Sequence, residues 1–373
     1  MEEPPEGFID FFRTIPDHRI ERKKLYPVEE LLLVTFCGVI AGCDGWDDLE
    51  LFGETKLDYL QRYLPFKHGA PSDDTLRRFF RALDPARFES CFQDWITSFQ
   101  LDLAHQVIAI DGKTSRRSAE GEDRAFHMIS AFASEMGLVL GQLKVDGKSN
   151  EITAIPQLLE VLDITGAIIT LDAMGCQTKV VDKIVERKAD YVIGLKGNQG
   201  SLNDDVRLLF EERPGAIVFA TSEELDKGHG RIERRKCTIT ADIQWLKERH
   251  PHWSHLRSVI EIEGTRDIKG QVSVENRYYI SSLPAHPETA LNAVRQHWGI
   301  ENKLHWVLDV CFGDDHSRIR KGNAPTNVAI IKKAVLNLLR LVKKDHPRVS
   351  LKRMRKLAGW DYGFMDTVLR AKF

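Results

Sequence analysis

Two aspartates close two similar apolar runs. Val107-Ile108-Ala109-Ile110-Asp111-Gly112-Lys113-Thr114 is β-branched and of strand length up to its carboxylate, and 61 positions on the pattern returns as Gly166-Ala167-Ile168-Ile169-Thr170-Leu171-Asp172-Ala173-Met174-Gly175. A carboxylate is costly inside a buried strand, so at the rim of one it is either solvated in a turn or holding a cation. Two such strands predict two carboxylates at one end of one sheet. Glu301 offers a third, because His297, Glu301 and His305 fall at i, i+4 and i+8 of a helical stretch and are read as sharing one face. Taken alone, Glu301 would be a surface glutamate that stabilises its helix.

Three carboxylates suit hard divalent cations. A pair of magnesium ions (or manganese in their place) about 3.5–4 Å apart activates an attacking oxygen on one side of a phosphorus and neutralises the leaving oxygen on the other. Magnesium keeps water and substrate phosphate in its shell, so three protein ligands suffice. In that arrangement Asp111 bridges both ions, Asp172 holds one and Glu301 the other, and without metal the three charges repel and raise one another's proton affinity. The chemistry is in-line displacement at a phosphodiester, with no covalent protein nucleophile required. Lys113, Lys196 and Asn198 lie beside the same strand ends and could hold phosphate. Leu195-Lys196-Gly197-Asn198-Gln199-Gly200 is too sparse in glycine for a nucleotide loop, and no G-x-x-x-x-G-K-[ST] occurs. His297 and His305 lack the H-E-x-x-H spacing of a zinc site and read as packed or surface histidines. The six cysteines show no C-x-x-C pair and read as reduced.

The elements that must position these groups change character along the chain. Residues 1–105 read as a helical N-terminal domain for DNA binding or assembly, with helices over 27–43, 46–64, 72–83 and 85–104. The third carries Arg77, Arg78 and Arg81 beside Leu76, Phe79 and Phe80; a basic outer face packed on a neighbour explains that mixture, and so does a recognition helix. Residues 106–215 alternate strand, strand, strand, helix, strand, helix, strand, which predicts an α/β fold with a mixed sheet and flanking helices. Residues 216–284 read as a strand-rich insertion over 216–221, 232–240, 256–264 and 273–281. Its glycine-flanked basic hairpin, Lys227 to Lys236, places His229 and Arg231 to approach a phosphate backbone, and reads equally well as an edge strand protected by charge. One long helix is expected from Pro287 to Phe312 within completing helices over 285–345, and 346–373 reads as a basic C-terminal tail.

Composition limits the function classes. With 42% hydrophobic and 29% charged residues the chain is neither disordered nor membrane-embedded. Its longest apolar run, Leu31 to Cys43, falls short of the roughly 20 residues a bilayer span needs. The acidic N-terminus lacks a secretory pattern, so the expected location is the cytoplasm, nucleoid-associated when bound to DNA. Net charge is −2, yet Arg318 to Lys356 holds 13 basic residues and one acid, Asp345, leaving −14 on the rest. That layout, with Arg318, Arg320 and Lys321 at its start, suits a polyanion binder with a separate cation-collecting site.

Together, Ile110-Asp111-Gly112-Lys113, Leu171-Asp172-Ala173-Met174-Gly175, the run Asp190 to Gln199, His229-Gly230-Arg231-Ile232-Glu233 and His297-Trp298-Gly299-Ile300-Glu301-Asn302 resemble the H-repeat-associated insertion-sequence transposases. Phe12 to Arg19 and Pro71 to Thr75 look like the domain associated with them. The resemblance implies membership of the DDE group, an RNase H-like catalytic domain, Asp111, Asp172 and Glu301 as the triad, and metal-dependent nicking at element ends with joining of the 3′-hydroxyl to target DNA. Pairing two ends implies at least a homodimer on terminal inverted repeats and target DNA. The chain departs from the family at Ser115-Arg116-Arg117-Ser118, where Leu-Arg-Gly-Ser is usual after the threonine, and has Val294, His297 and Leu308 where the wider group often has Tyr, Arg and Lys. Arg116 and Arg295 are taken as DNA contacts. Two alternatives stay open: a catalytically lapsed DNA-binding relative, and a metal-dependent nuclease that cuts without joining.

Overall fold

A computed structural model describes residues 8–17, 19, 24–115, 126–145, 151–228 and 231–373, so Arg116 and His229 lie outside the described residues. The chain opens with helices α1 (Phe8–Phe12), α2 (Val28–Ala41), α3 (Trp46–Thr55), α4 (Leu57–Leu60), α5 (Asp73–Ala82) and α6 (Pro85–Thr97). Helix α2 is apolar around its circumference and is buried along nearly its whole length. Ser72 accepts from the Thr75 amide to start α5, and Asp84 accepts from the Ala86 amide ahead of Pro85 to start α6. Helix α6 ends seven residues before the expected Ala104, because Gln100 turns into the left-handed region at φ 49°.

Next come β1 (Val107–Thr114), β2 (His127–Ala133), β3 (Leu138–Val145), α7 (Glu151–Val161), β4 (Ile168–Leu171), α8 (Thr178–Glu186), β5 (Asp190–Leu195) and α9 (Gly200–Glu212). They are followed by β6 (Ala220–Gly228), β7 (Arg231–Thr240), α10 (Gln244–Arg249), β8 (Ser258–Ile268) and β9 (Gln271–Ser281). All the strands join one sheet in the order β3-β2-β1-β4-β5-β9-β8-β7-β6. β1, β4 and β5 run parallel and the remaining pairs antiparallel. The first five strands, with β2 and β3 as an antiparallel meander against a parallel pair of crossovers, make the RNase H-like mixed sheet that the resemblance implied. The second antiparallel group extends that sheet through β9.

Alternation sorts the side chains between two faces. Ile108, Ile169 and Ile193 join Ile155, Leu158, Val180 and Ile184 of α7 and α8 in the larger core. Val107, Ile168 and Val192 face Ala290, Ala293 and Val294 of α11 (Pro287–His297). The expected single helix from 287 to 312 is interrupted: α11 is followed by a π-helical turn over Ile300–His305 and then α12 (Trp306–Phe312). Residues 216–219, expected as strand, precede β6, whose pairing with β7 starts at Ala220.

The 318–356 segment differs most from its expectation. It contributes α13 (Ala324–Lys343), and residues beyond 346 form α14 (Leu351–Trp360) and α15 (Tyr362–Leu369) rather than a tail, with Met354, Met365 and Val368 buried in the core. Five of its cations are used inside. Lys332 pairs with Asp314, Lys333 donates to Ser130 Oγ at 2.8 Å, and Lys343 donates to the carbonyls of Pro347 and Val349. Arg355 donates to the Val39 and Cys311 carbonyls. Arg340 donates to the Gly137 and Lys303 carbonyls with its guanidinium 5.1 Å from the Phe132 ring centroid. Arg318, Arg320 and Lys321 remain exposed. No helix among the described residues is long and apolar enough to cross a membrane.

A hydrogen bond from a charged donor contributes about 1.5–3 kcal/mol, so Arg340→Met, which removes those to the Gly137 and Lys303 carbonyls, should lower unfolding stability by about 2–4 kcal/mol. Arg348→Met, at an exposed position in the same segment, should stay within about 0.5 kcal/mol. Equal effects in chemical denaturation would mean that both sit on one solvated basic face.

Candidate active site

The parallel register between β1 and β4 sets the site. Val107 pairs with Ile168, Ile108 with Ile169 and Ala109 with Thr170, and the same offset brings Asp172 level with Asp111. β1 does not stop at its carboxylate as expected; it continues to Thr114 because β2 pairs with it from Ile108 through Thr114. Asp111 therefore projects from mid-strand where β4 has ended, while Asp172 begins a tight turn whose Met174 and Gly175 amides donate to its Oδ1 at 2.9 and 3.2 Å. Gly194 of β5 passes so near this turn that a Cβ there would stand 3.2 Å from the Ala173 nitrogen.

Across from the strand ends lies the π-helical turn. His297 Nδ1 is 3.1 Å from Thr170 Oγ1 on β4, and His305 Nδ1 is 3.7 Å from Asp111 Oδ2 on β1. Burial lowers His297 to about 4; His305 falls to about 3 through burial and then the nearby Lys333 and Lys113 ammoniums. Both rings are therefore neutral at physiological pH, packed as the sequence suggested. Between them Glu301 is exposed, and Asp111, Asp172 and Glu301 all line one cleft of about 630 Å³. Lys196, Arg277, Tyr279 and Trp298 form its other walls, the Arg277 guanidinium 4.5 Å from the Trp298 ring centroid.

Asp111 is pushed up to about 7, chiefly by burial and then by the negative charge of Asp172, Glu151 and Glu301. Three carboxylates at one cleft, one of them short of positive charge, match the hard oxygen donors that divalent magnesium or manganese prefers. Among the described residues, no three such side chains are drawn together around a single point. The donor chemistry thus fits a cation, with the carboxylates apart.

The other residues singled out in the sequence separate into two groups. Lys196 lines the cleft and is exposed. Lys113 is instead enclosed by Asp309, Asp314 and Asp315 at 2.6, 3.3 and 3.6 Å, and is held away from phosphate by that cluster. Burial works to raise Asp314, but Lys332 and Lys113 outweigh it and hold its carboxyl below the usual range. Asn198, itself exposed, donates to the Ala173 carbonyl at 2.7 Å and so braces the Asp172 turn. Arg231 pairs with Glu233 at 3.0 Å, and Arg295 with Glu224. Arg318, Arg320 and Lys321 are not among the residues lining the cleft.

The sequence reading missed a buried pair beside Asp111. His127 bonds Glu151 through Nε2 and Thr114 Oγ1 through Nδ1 at 2.8 Å. Both lie against Gly112, where a Cβ would come within 2.2 Å of His127 Nε2. The glycine after Asp111 was a visible signal of close approach; its partners, on a different strand and helix, were not.

The chain is similar throughout to known proteins. Residues 102–338 match the family described as Transposase DDE domain, and residues 9–96 match the one described as DDE_Tnp_1-associated. The chain is 40% identical to "H repeat-associated putative transposase YhhI" of Escherichia coli K12, over 97% of each chain. It is 39% identical to "Putative transposase YncI" of Escherichia coli O157:H7, over 98% of this chain and 94% of that one. A piggyBac transposase synaptic complex with hairpin DNA aligns over 97% of this chain and 76% of that one, at 11% identity and TM-score 0.49.

The raised proton affinity of Asp111 has a signed consequence. Folded Asp111 holds its proton to about 7 against 3.8 for the free group. The folded state thus binds more protons between these values, and stability falls as pH rises through that window, by up to about 4 kcal/mol. With a chelator present, Asp111→Asn should raise the melting temperature at pH 8 and leave it nearly unchanged at pH 4. The same gain at both pH values would show that the charge is not its cause.

Proposed function

The chain belongs to the DDE transposase family, and from that premise we propose that it cuts DNA at the ends of a mobile element and joins the freed 3′-hydroxyl to target DNA. What supports the reading above all is that Asp111 on β1 and Asp172, in the turn just after the adjacent parallel strand β4, line one cleft with Glu301 from the facing helical segment. Asp111, Asp172 and Glu301 would hold a pair of magnesium or manganese ions. When bound, these supply the charge that activates an attacking oxygen and stabilises a leaving one.

The chain's own residues account for the rest. The Met174 and Gly175 amides fix Asp172, Asn198 holds the turn behind it, and His297 anchors the segment that carries Glu301. Lys196 is placed to meet a phosphate entering the cleft, with Arg318, Arg320 and Lys321 as exposed cations for flanking DNA. Residues 1–105 would serve DNA binding or assembly, and 216–284 would be an insertion in a catalytic domain beginning near 106. Handling two element ends calls for at least a dimer acting at the nucleoid.

A strand-transfer reaction on labelled terminal inverted repeats with magnesium or manganese tests this reading. Joined product is expected. Asp111→Asn, Asp172→Asn and Glu301→Gln should each lower it by about a thousandfold or more, since each removes several kcal/mol of charge stabilisation. DNA binding should persist in all three. Cleavage without joining would instead indicate a nuclease, and binding with neither would indicate a lapsed relative.

A further inference from the structure

His305 is neither a helix-surface residue nor simply core. Its side chain is 13% exposed, its Nδ1 stands 3.7 Å from Asp111 Oδ2, and its Nε2 is buried with no hydrogen-bond partner among the described residues. Asp111, Lys113, His127, Asp314 and Lys333 supply the surrounding charges. A neutral imidazole carries one N–H. Near two ammonium groups a bare lone pair is favoured over a second donor, and the carboxylate paired with the ring among the described residues, that of Asp111, lies on its Nδ1 side. The gap to Asp111 is about half an ångström beyond hydrogen-bond reach.

We propose that His305 is a positioning residue for Asp111: its Nδ1–H engages Oδ2 and leaves Oδ1 directed into the cleft for a hard cation. The inference rests on the assignment of Asp111 as a cation ligand. Its physical basis is general, since ligating carboxylates are oriented by hydrogen bonds from behind, and loss of such a partner typically weakens metal binding. The placement also gives the π-helical turn a use, because it presents Glu301 to the cleft and His305 to Asp111 from one short segment.

The test is Mn²⁺ binding to the full chain without DNA, followed by electron paramagnetic resonance. His305→Phe keeps the ring and removes the donor; His305→Asn places an amide N–H near the Nδ1 position. The Phe variant should bind Mn²⁺ about 10–100-fold more weakly and the Asn variant within about threefold of the parent. Parent-like binding by the Phe variant, or equal loss in both, overturns the proposal. A measurement on the unsubstituted chain guards against a variant that fails to fold. With Mg²⁺ added, ¹⁵N shifts of labelled histidine should report the Nδ1–H tautomer at His305, and an Nε2–H tautomer overturns the proposal. If the parent takes up no Mn²⁺, or Asp111→Asn takes it up equally well, the cation-ligand reading itself fails, and this inference with it.

Discussion

A carboxylate buried beside other carboxylates is the constraint that this fold has to accommodate. Asp111, Asp172 and Glu301 face one cleft, and Glu151 adds a fourth negative charge to the surroundings of Asp111. The stability that holds them at one cleft comes from beneath and behind. Below Asp111 and Asp172 lie paired β-branched residues buried on both faces of β1 and β4. Glu151, which would otherwise be an unpaired buried charge, is held by His127, itself held by Thr114. Gly112 exists in that position because the pair occupies the space where its side chain would be.

How much of this was legible in the sequence follows from which interactions are local. Both apolar runs ending at aspartates were readable, and their 61-residue offset is the actual strand register. The meander of β2 and β3 was readable from its turn, and the starts of α5 and α6 from Ser72 and Pro85. Features set by distant partners were not. Nothing adjacent to Lys113 signals that Asp309, Asp314 and Asp315 will surround it, and nothing near Asn198 signals the Ala173 carbonyl it donates to. Strand β6 starts later than its apolar residues suggest because β7 fixes where pairing begins.

Charge counting misled for a related reason. A segment with 13 basic residues and one acid resembles an anion-binding surface, yet Lys332, Lys333, Lys343, Arg340 and Arg355 bond carbonyls, a hydroxyl and a carboxylate of the same fold. Long cationic side chains serve this purpose well, because their stems pack on apolar surface while their heads reach several acceptors. The β6–β7 hairpin behaves likewise: Arg234 pairs with Glu223, while Arg231 and Arg235 share Glu233. A basic stretch in sequence is a basic surface only where its side chains stay exposed, as Arg318, Arg320 and Lys321 do.

The π-helical turn solves a geometric problem that an α-helix would leave. At 3.6 residues per turn, positions eight apart drift by roughly 80°, so His297 and His305 on an unbroken α-helix would not both face the sheet. Yet His297 reaches Thr170 on β4 and His305 approaches Asp111 on neighbouring β1. The wider turn over Ile300–His305 absorbs the drift. One carbonyl within it, that of Lys303, is taken by Arg340 from α13, and the Lys303 ammonium donates to the Ser134 carbonyl at the end of β2. The irregular segment is thereby tied through Lys303 to the sheet and to α13, with His297 anchored to β4 just ahead of it, and Glu301 lines the cleft although its own side chain is exposed.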